Sequence, residues 1–178
     1  AKKEYEEYEN KSEENDKEIE QIEETIEKLD VKQKEIADEY KKKEEERFTN
    51  SIDDIIAEFE DILDDDIFNE REKKLLKRYH LNTASKNELS ESLLTISLCL
   101  RKYYHQKVII LIDEYDVPLQ AAYQHNYYDE MVEFLRNVFS SSLKTNDALE
   151  KGIMTGCLRI SKESIFTGLN NFSSYSIL

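Results

Sequence analysis

Three acidic residues lie within the four positions that follow a run of aliphatic residues in the stretch VIILIDEYD, residues 108–116. Five consecutive aliphatic residues predict a strand buried on both faces. A carboxylate at the end of such a strand is held in position and partly removed from water, which suits Asp113 to hold Mg²⁺, usually through water, beside a phosphate group. The next acid, Glu114, points elsewhere and can polarise an attacking water. The alternative is structural, because buried strands often end in an aspartate that forms a turn.

The elements around these acids indicate an α/β fold. A strand, a helix and a second strand in succession are the arrangement of a parallel crossover. The predicted order is a helix at about 50–63 capped by Asn50 or Ser51, a helix at 69–80, a helix from a Ser85–Glu88 capping box to about 103, a strand at 108–112, a loop at 113–127 with Pro118 and a possible turn of helix at 119–123, a helix at 128–145, and a short buried strand in GIMTGC at 152–157.

The carboxyl ends of two parallel strands lie at the same edge of a sheet, and ligands of open α/β sheets bind beyond that edge. Asp113 and Glu114 therefore share an edge with the residues that follow the second strand, Thr155 to Arg159. Thr155 and Arg159 are candidates for phosphate contacts. A capping hydroxyl and a surface salt bridge are the structural alternatives for these two residues.

Residues 1–47 form a separate, strongly acidic segment that is predicted to be one coiled-coil helix. It holds 11 Lys or Arg against 19 Asp or Glu, and it lacks Phe, Gly and Pro. Apolar residues recur at alternating steps of three and four, the spacing of the a and d positions of a coiled coil. Such a stripe needs a partner, either a second copy or another helix; a solvated, partly frayed helix is the alternative. The a and d series is Tyr5, Tyr8, Ser12, Asn15, Ile19, Ile22, Ile26, Leu29, Gln33, Ile36 and Tyr40.

Composition excludes several classes of function. A net charge of −15 disfavours binding to nucleic acid and to anionic membranes, because neutralising phosphates requires a basic face. No apolar run approaches a membrane span or a signal peptide, so a cytoplasmic location is expected. Cys99 and Cys157 are far apart and are predicted to be free thiols in the core. The three histidines lack the spacing of metal ligands.

The segment from about residue 90 to 178 resembles the AAA-ATPase-like family of bacterial and archaeal proteins, which often also carry a PD-(D/E)XK nuclease-like domain. Residues 50–90 resemble its helical region more loosely, and residues 1–47 do not match it. The domains expected are a coiled-coil helix at 1–47 and a partial P-loop NTPase-type parallel sheet with flanking helices at 48–178. The matching text is VIILIDEYDVPLQAAY, YYDEMVEFLRNVFSSSLKTND and GIMTGCLRISKESIFTGLNNFSSYSIL.

This resemblance implies roles for four residues. Asp113 corresponds to the Walker B acid that orients Mg²⁺ through water, and Glu114 to the base that positions the hydrolytic water. Thr155 takes the place of the residue that senses the γ-phosphate of ATP, and Arg159 contacts phosphate or the carboxylates. Neither Asp116 nor the LNN turn at 169–171 receives a defined role, although a structural one is expected for the turn.

ATP binding in this class requires a phosphate-binding loop of the form G-x-x-x-x-G-K-[ST], and the sequence contains no Gly-Lys pair. ATP and Mg²⁺ are therefore expected in the intact family domain, without tight binding to this chain alone. Three hypotheses remain. The chain is part of an ATPase domain, or a coiled-coil scaffold with an inactive ATPase fold, or an accessory to a nuclease.

Overall fold

A computed structural model describes residues 2–157, 165, 173 and 175, with side chains described from residue 11 onward. The α/β prediction is confirmed: the described residues include two parallel strands, flanking helices and a long N-terminal helix. In chain order the elements are α1 Lys2–Ala57, a 3₁₀ turn Glu60–Ile62, α2 Glu70–His80, α3 Lys86–Ser90, α4 Ser92–Tyr104, β1 Val108–Ile112, α5 Val117–Gln124, α6 Tyr128–Phe139, a π-helical turn Ser140–Lys144 and β2 Leu149–Met154.

Helix α1 is continuous, so the prediction that a new helix begins at Asn50 or Ser51 is wrong. The hydroxyl of Ser51 donates to the carbonyl of Arg47 at 3.0 Å, within the helix, instead of capping a new one. Ile52 and Ile56 are 2% and 1% exposed, and this burial stabilises the last turns. By its internal contacts the chain divides into two compact units, residues 1–39 and 40–178. The domain division at residue 47 stays a prediction.

Capping boxes open α2 and α3, at Asn69 with Glu72 and at Ser85 with Glu88. The Ser85 capping box is confirmed, but the helix predicted to run from it to about 103 is interrupted at Glu91. On either side of the interruption, serine hydroxyls bond to nearby carbonyls. Ser90 donates to Asn87, and Ser92 donates to Leu89, each at 2.7 Å. Such side-chain bonds compete with the backbone hydrogen bonds of a helix. The spacing of apolar residues does not report them, so it did not reveal the break at Glu91.

The segment between the strands is more helical than predicted. Residues 117–124 form helix α5 where only a turn was expected, and Pro118 lies in its first turn, where the missing N–H costs nothing. The helix predicted at 128–145 is divided into α6 and the π-helical turn. Six α6 side chains are buried, among them Phe134, which meets Phe48 of α1 edge to face at 5.1 Å between ring centroids.

The sheet is buried on one face only, so the prediction of burial on both faces is wrong. Ile110 is 9% exposed, whereas Ile109 and Leu111 are 59% and 72% exposed. Strand β2 begins at Leu149, earlier than predicted, and its Ile153 is 43% exposed. An aliphatic run identifies a strand but does not reveal whether both faces are covered.

Within the residues that the structure describes, no helix is long and apolar enough to cross a membrane.

Candidate functional site at the carboxyl edge of the sheet

The parallel register brings Asp113 and Thr155 together. Ile112 of β1 pairs with Met154 of β2, and the Thr155 amide donates to the Ile112 carbonyl at 2.9 Å. The hydroxyl of Thr155 then donates to Oδ1 of Asp113, although the two residues are 42 positions apart in the chain. The shared edge predicted from the sequence is therefore confirmed for these segments: β1 and β2 are neighbouring parallel strands.

The two candidate catalytic acids are solvent-accessible. Asp113 and Glu114 are both exposed. The amide of Glu114 donates to Oδ1 of Asp113 at 2.9 Å, so that oxygen accepts two hydrogen bonds and the carboxylate is oriented from two sides. Glu114 has φ of 52°, in the left-handed region that costs a non-glycine residue of the order of 1 kcal/mol. The chain therefore leaves the extended conformation of the strand directly after Asp113.

Asp116 has a structural position that the sequence did not reveal. Its side chain is 1% exposed, and its two carboxylate oxygens accept hydrogen bonds from different elements. Oδ1 accepts from the Cys157 amide at 3.3 Å, and Oδ2 accepts from Nε2 of Gln120 at 3.0 Å. Asp116 therefore joins the chain after β1, helix α5 and the chain after β2. It fixes the spacing of the segments that carry Asp113 and Thr155.

Gly156 allows the two chain segments to approach closely. A Cβ atom at this position would lie 2.7 Å from Oδ1 of Asp116 and 2.7 Å from the Tyr115 ring. Burial, with a smaller contribution from the Asp116 charge, raises the pKa of Tyr115 above its ordinary value. The packing of Tyr115 and Asp116 against Gly156 is a second feature of the edge that sequence reasoning missed. A glycine directly after Thr155 was the one local signal of it.

The oxygen atoms at this edge are suited to part of a magnesium site. A carboxylate and a hydroxyl are hard ligands, and Mg²⁺ in nucleotide sites typically keeps several waters and binds one or two carboxylates together with the phosphates. Among the described residues, no three His, Cys, Asp or Glu side chains form a group able to hold a metal ion. Asp113 with Thr155 fits a metal that arrives with a phosphate ligand.

The remaining sequence candidates have different outcomes. Arg159 and the LNN turn at 169–171 lie outside the described residues. Cys99 is buried as predicted, and burial raises the pKa of its thiol to about 11. Cys157 is exposed, so the prediction of a core thiol is wrong there. It follows β2 at the sheet edge, where the chain has left the core.

A model of the AAA-ATPase-like family, described as a predicted AAA-ATPase, matches residues 54–166. An uncharacterized protein in the vnfD 5′ region of Azotobacter chroococcum mcd 1 is 35% identical over 74 residues, which are 40% of this chain and 14% of that protein. The chain thus matches only a small part of the length of this relative. No solved structure matches the chain. The family match covers more than half of the sequence and includes β1, β2 and the edge between them, and the chain belongs to the AAA-ATPase-like family.

Proposed function

We propose that the carboxyl edge of β1 and β2 is the metal-orienting part of an ATP-hydrolysing AAA-type domain. Asp113 orients Mg²⁺ through water, Glu114 is the base that activates the hydrolytic water, and Thr155 senses the γ-phosphate. Arg159 contacts phosphate in the same scheme, on the strength of the family resemblance alone. The observation that carries the proposal is the pairing of Asp113 with Thr155 at an exposed sheet edge.

The chemistry follows from the positions of the two acids. Asp113 is held by the Thr155 hydroxyl and by the Glu114 amide, so it can orient a hydrated metal without reorganising. Glu114 follows Asp113 in a left-handed backbone conformation, and its side chain is exposed to solvent. A Mg²⁺ ion held by Asp113 would supply positive charge beside the phosphates. The Glu114 carboxylate accepts a proton from the attacking water, a contribution typically of about 10²–10⁴-fold in rate.

We propose further that this chain supplies only part of the nucleotide site. Its sequence lacks the Gly-Lys pair of the phosphate-binding loop, and the carboxylates at the edge repel phosphate groups when no metal is bound. The exposed face of Ile109, Leu111 and Ile153 supports this proposal, because the faces of parallel sheets are normally covered by helices. The phosphate-binding loop would then lie elsewhere in a longer, cytoplasmic polypeptide, which in this family often includes a PD-(D/E)XK nuclease-like domain.

Nucleotide titration in the presence of Mg²⁺ tests this function. We expect weak or undetectable binding of ATP by the 178-residue chain and clear binding by the full-length protein, weakened by Asp113→Ala. Asp147→Ala, which removes an exposed acid away from the edge, is the matched control. Micromolar binding by the 178-residue chain alone would contradict the need for a further phosphate-binding element. Full-length protein that binds ATP equally well with and without Asp113 would contradict the assigned site.

Alkylation of Cys157 provides an independent readout. Its thiol is exposed two residues beyond Thr155, whereas Cys99 is buried and its pKa is raised to about 11, so Cys157 should react first with a thiol reagent at neutral pH. Mg²⁺ with ATP should slow this reaction in the full-length protein and leave the rate in the Asp113→Ala variant unchanged. Equal protection of the variant would contradict metal-dependent binding at this edge.

A second candidate function is helical association. The apolar residues at the a and d positions of α1 are exposed, with Ile19, Ile22, Ile26 and Leu29 each 52–59% accessible. A stripe of this kind along a surface helix is typical of a segment that pairs with another helix. Sedimentation at several concentrations tests self-association. If the parent chain and its Ile22→Asp variant are both monomeric at every concentration, a coiled coil between copies is excluded.

A further inference from the structure

Helix α1 exposes a row of apolar residues, and the acidic residues beside this row indicate which kind of partner helix could cover it. Ile19, Ile22, Ile26 and Leu29 follow steps of three, four and three, so they form one continuous row on the helix. Between residues 11 and 39 the helix also exposes Ile36, which continues the row at a d position, and Val31, which lies outside the row. Apart from Ala37 the other residues are polar, and nearly all side chains of the segment are exposed. A partner that covers the row must also face the residues on both sides of it.

The two flanks of the row differ in charge. With Ile19 and Ile26 at a positions, the e positions hold Asp16, Glu23 and Asp30, and all three are acidic. The g positions are mixed: Lys11, Glu18, Thr25 and Lys32. Residues at e and g lie against the partner helix in a coiled coil and select it by charge. One flank of this helix therefore favours a partner with basic residues opposite it.

A second copy of the chain does not meet this requirement in a parallel arrangement. In a parallel pair each g residue faces the e residue five positions further along the partner. Lys11 would then face Asp16, which is favourable, but Glu18 would face Glu23, which is unfavourable. Thr25 and Lys32 would face Asp30 and Ala37 without a charge pair. The favourable and unfavourable pairs cancel.

An antiparallel pair of copies gains little, because it has four favourable charge contacts against three unfavourable ones. In that arrangement e positions face e positions and g positions face g positions. With the register centred between Ile22 and Ile26, Glu23 faces its own copy and Asp16 faces Asp30. The g positions compensate, because Lys11 faces Glu39 and Glu18 faces Lys32. Residues 1–39 contain 7 lysines against 16 acidic residues, a net charge of −9, so two copies also repel each other over longer distances.

We infer that residues 11–39 pair with a basic amphipathic helix of another protein, with apolar residues at its own a and d positions and Lys or Arg opposite Asp16, Glu23 and Asp30. This inference rests on the proposed association function of α1 and specifies the partner. Such a helix covers the apolar row and pairs with each acid of the e flank. It also neutralises the excess negative charge of the segment, so association weakens as salt rises.

Two synthetic four-heptad peptides test the inference. Both peptides have Ile at the a positions and Leu at the d positions. The Lys peptide has Lys at every e and g position, and the Glu peptide has Glu there. A third peptide has the composition of the Lys peptide in a scrambled order. Binding to the 178-residue chain is measured by fluorescence anisotropy at two salt concentrations, and self-association by sedimentation equilibrium. We expect the Lys peptide to bind more tightly than the chain binds itself, and more tightly than the other two peptides.

Charge-reversal variants locate the contact. Glu23→Lys with Asp30→Lys changes the flank of the apolar row, whereas Glu20→Lys with Glu27→Lys makes the same change in net charge on the outer face. We expect the first pair to weaken binding of the Lys peptide by about tenfold, which corresponds to about 1.4 kcal/mol, and the second pair by much less, because only the first pair lies against the partner helix. Ile22→Asp should abolish binding, because it places a charge in the apolar row.

The outcomes separate the inference from the function on which it rests. Self-association tighter than binding of the Lys peptide would overturn the basic partner and keep helical association. Equal binding of the Lys peptide and its scrambled form, or equal effects of the two charge-reversal pairs, would overturn it as well. No self-association and no binding of either ordered peptide would overturn both the inference and the association function.

Discussion

Removing the buried carboxylate of Asp116 should destabilise the protein strongly. Asp116→Ala eliminates the acceptors of the Cys157 amide at 3.3 Å and of Gln120 Nε2 at 3.0 Å. Hydrogen bonds to charged groups contribute about 1.5–3 kcal/mol each, and the longer bond lies at the lower end. We therefore expect the free energy of unfolding to fall by about 3 kcal/mol. With a urea dependence of about 2 kcal/mol per M, the unfolding midpoint falls by about 1.5 M.

Urea denaturation followed by circular dichroism measures this change, and two further variants control it. Asp116→Asn keeps one oxygen for the Cys157 amide, and the Gln120 amide can rotate to accept from the new NH₂ group, so its loss should be only about 1 kcal/mol. Asp147→Ala removes an exposed acid and should change stability by less than about 0.5 kcal/mol. A cost for Asp116→Ala as small as that of Asp147→Ala would refute the argument that Asp116 joins the two chain segments.

Three further variants probe individual groups, each compared with the parent protein by denaturant unfolding. The Tyr127 hydroxyl is buried without a hydrogen-bond partner in the described part of the chain, so Tyr127→Phe should leave stability unchanged or raise it by about 1 kcal/mol; a loss above 1 kcal/mol would contradict this. Glu114→Gly should stabilise the protein by up to about 1 kcal/mol, because φ is 52° at this position. The control Glu91→Gly, at a φ of −103°, should destabilise the protein by a similar amount. Destabilisation by both variants would refute the argument that Glu114 is strained. Burial opposes ionisation of Glu72, but hydrogen bonds and the charge of Lys102 outweigh it and lower its pKa below the ordinary 4.5. The contribution of ionised Glu72 to stability is therefore fully present above pH 4.5 and is lost as pH falls through the lowered pKa. In that acidic range Glu72→Gln should lose less stability with falling pH than the parent protein does. An equally steep pH dependence of the free energy of unfolding in both proteins would contradict this.

The strand pair and the residues at its carboxyl edge could be predicted because their signals are local. The aliphatic residues before Asp113 are contiguous, and Thr155 follows a second apolar run after one helical segment. Parallel strands place their carboxyl ends together, so position in the chain was enough to bring these two residues to one edge. Ser85 with Glu88 is a local signal of the same kind, since a capping box is complete within four residues.

The features that sequence reasoning missed depend on contacts between distant residues. The burial of Asp116 follows from the Cys157 amide, which lies 41 positions away in the chain. The continuity of α1 through Ser51 follows from the burial of Ile52 and Ile56, which outweighs the capping preference of Asn50 and Ser51. The one-sided burial of β1 is also non-local, because Ile109 and Leu111 have the same side-chain chemistry as Ile110 and differ only in what packs against them.

The central claim is that the edge carrying Asp113, Glu114 and Thr155 supports ATP hydrolysis in the full-length protein. The most direct measurement is steady-state Mg²⁺-dependent ATP hydrolysis by the Glu114→Gln variant, with ATP affinity measured on the same sample. We predict a loss of about 10²–10⁴-fold in kcat with ATP binding retained, because the amide cannot accept the proton of the attacking water. Hydrolysis by Glu114→Gln at the rate of the parent protein would contradict the claim.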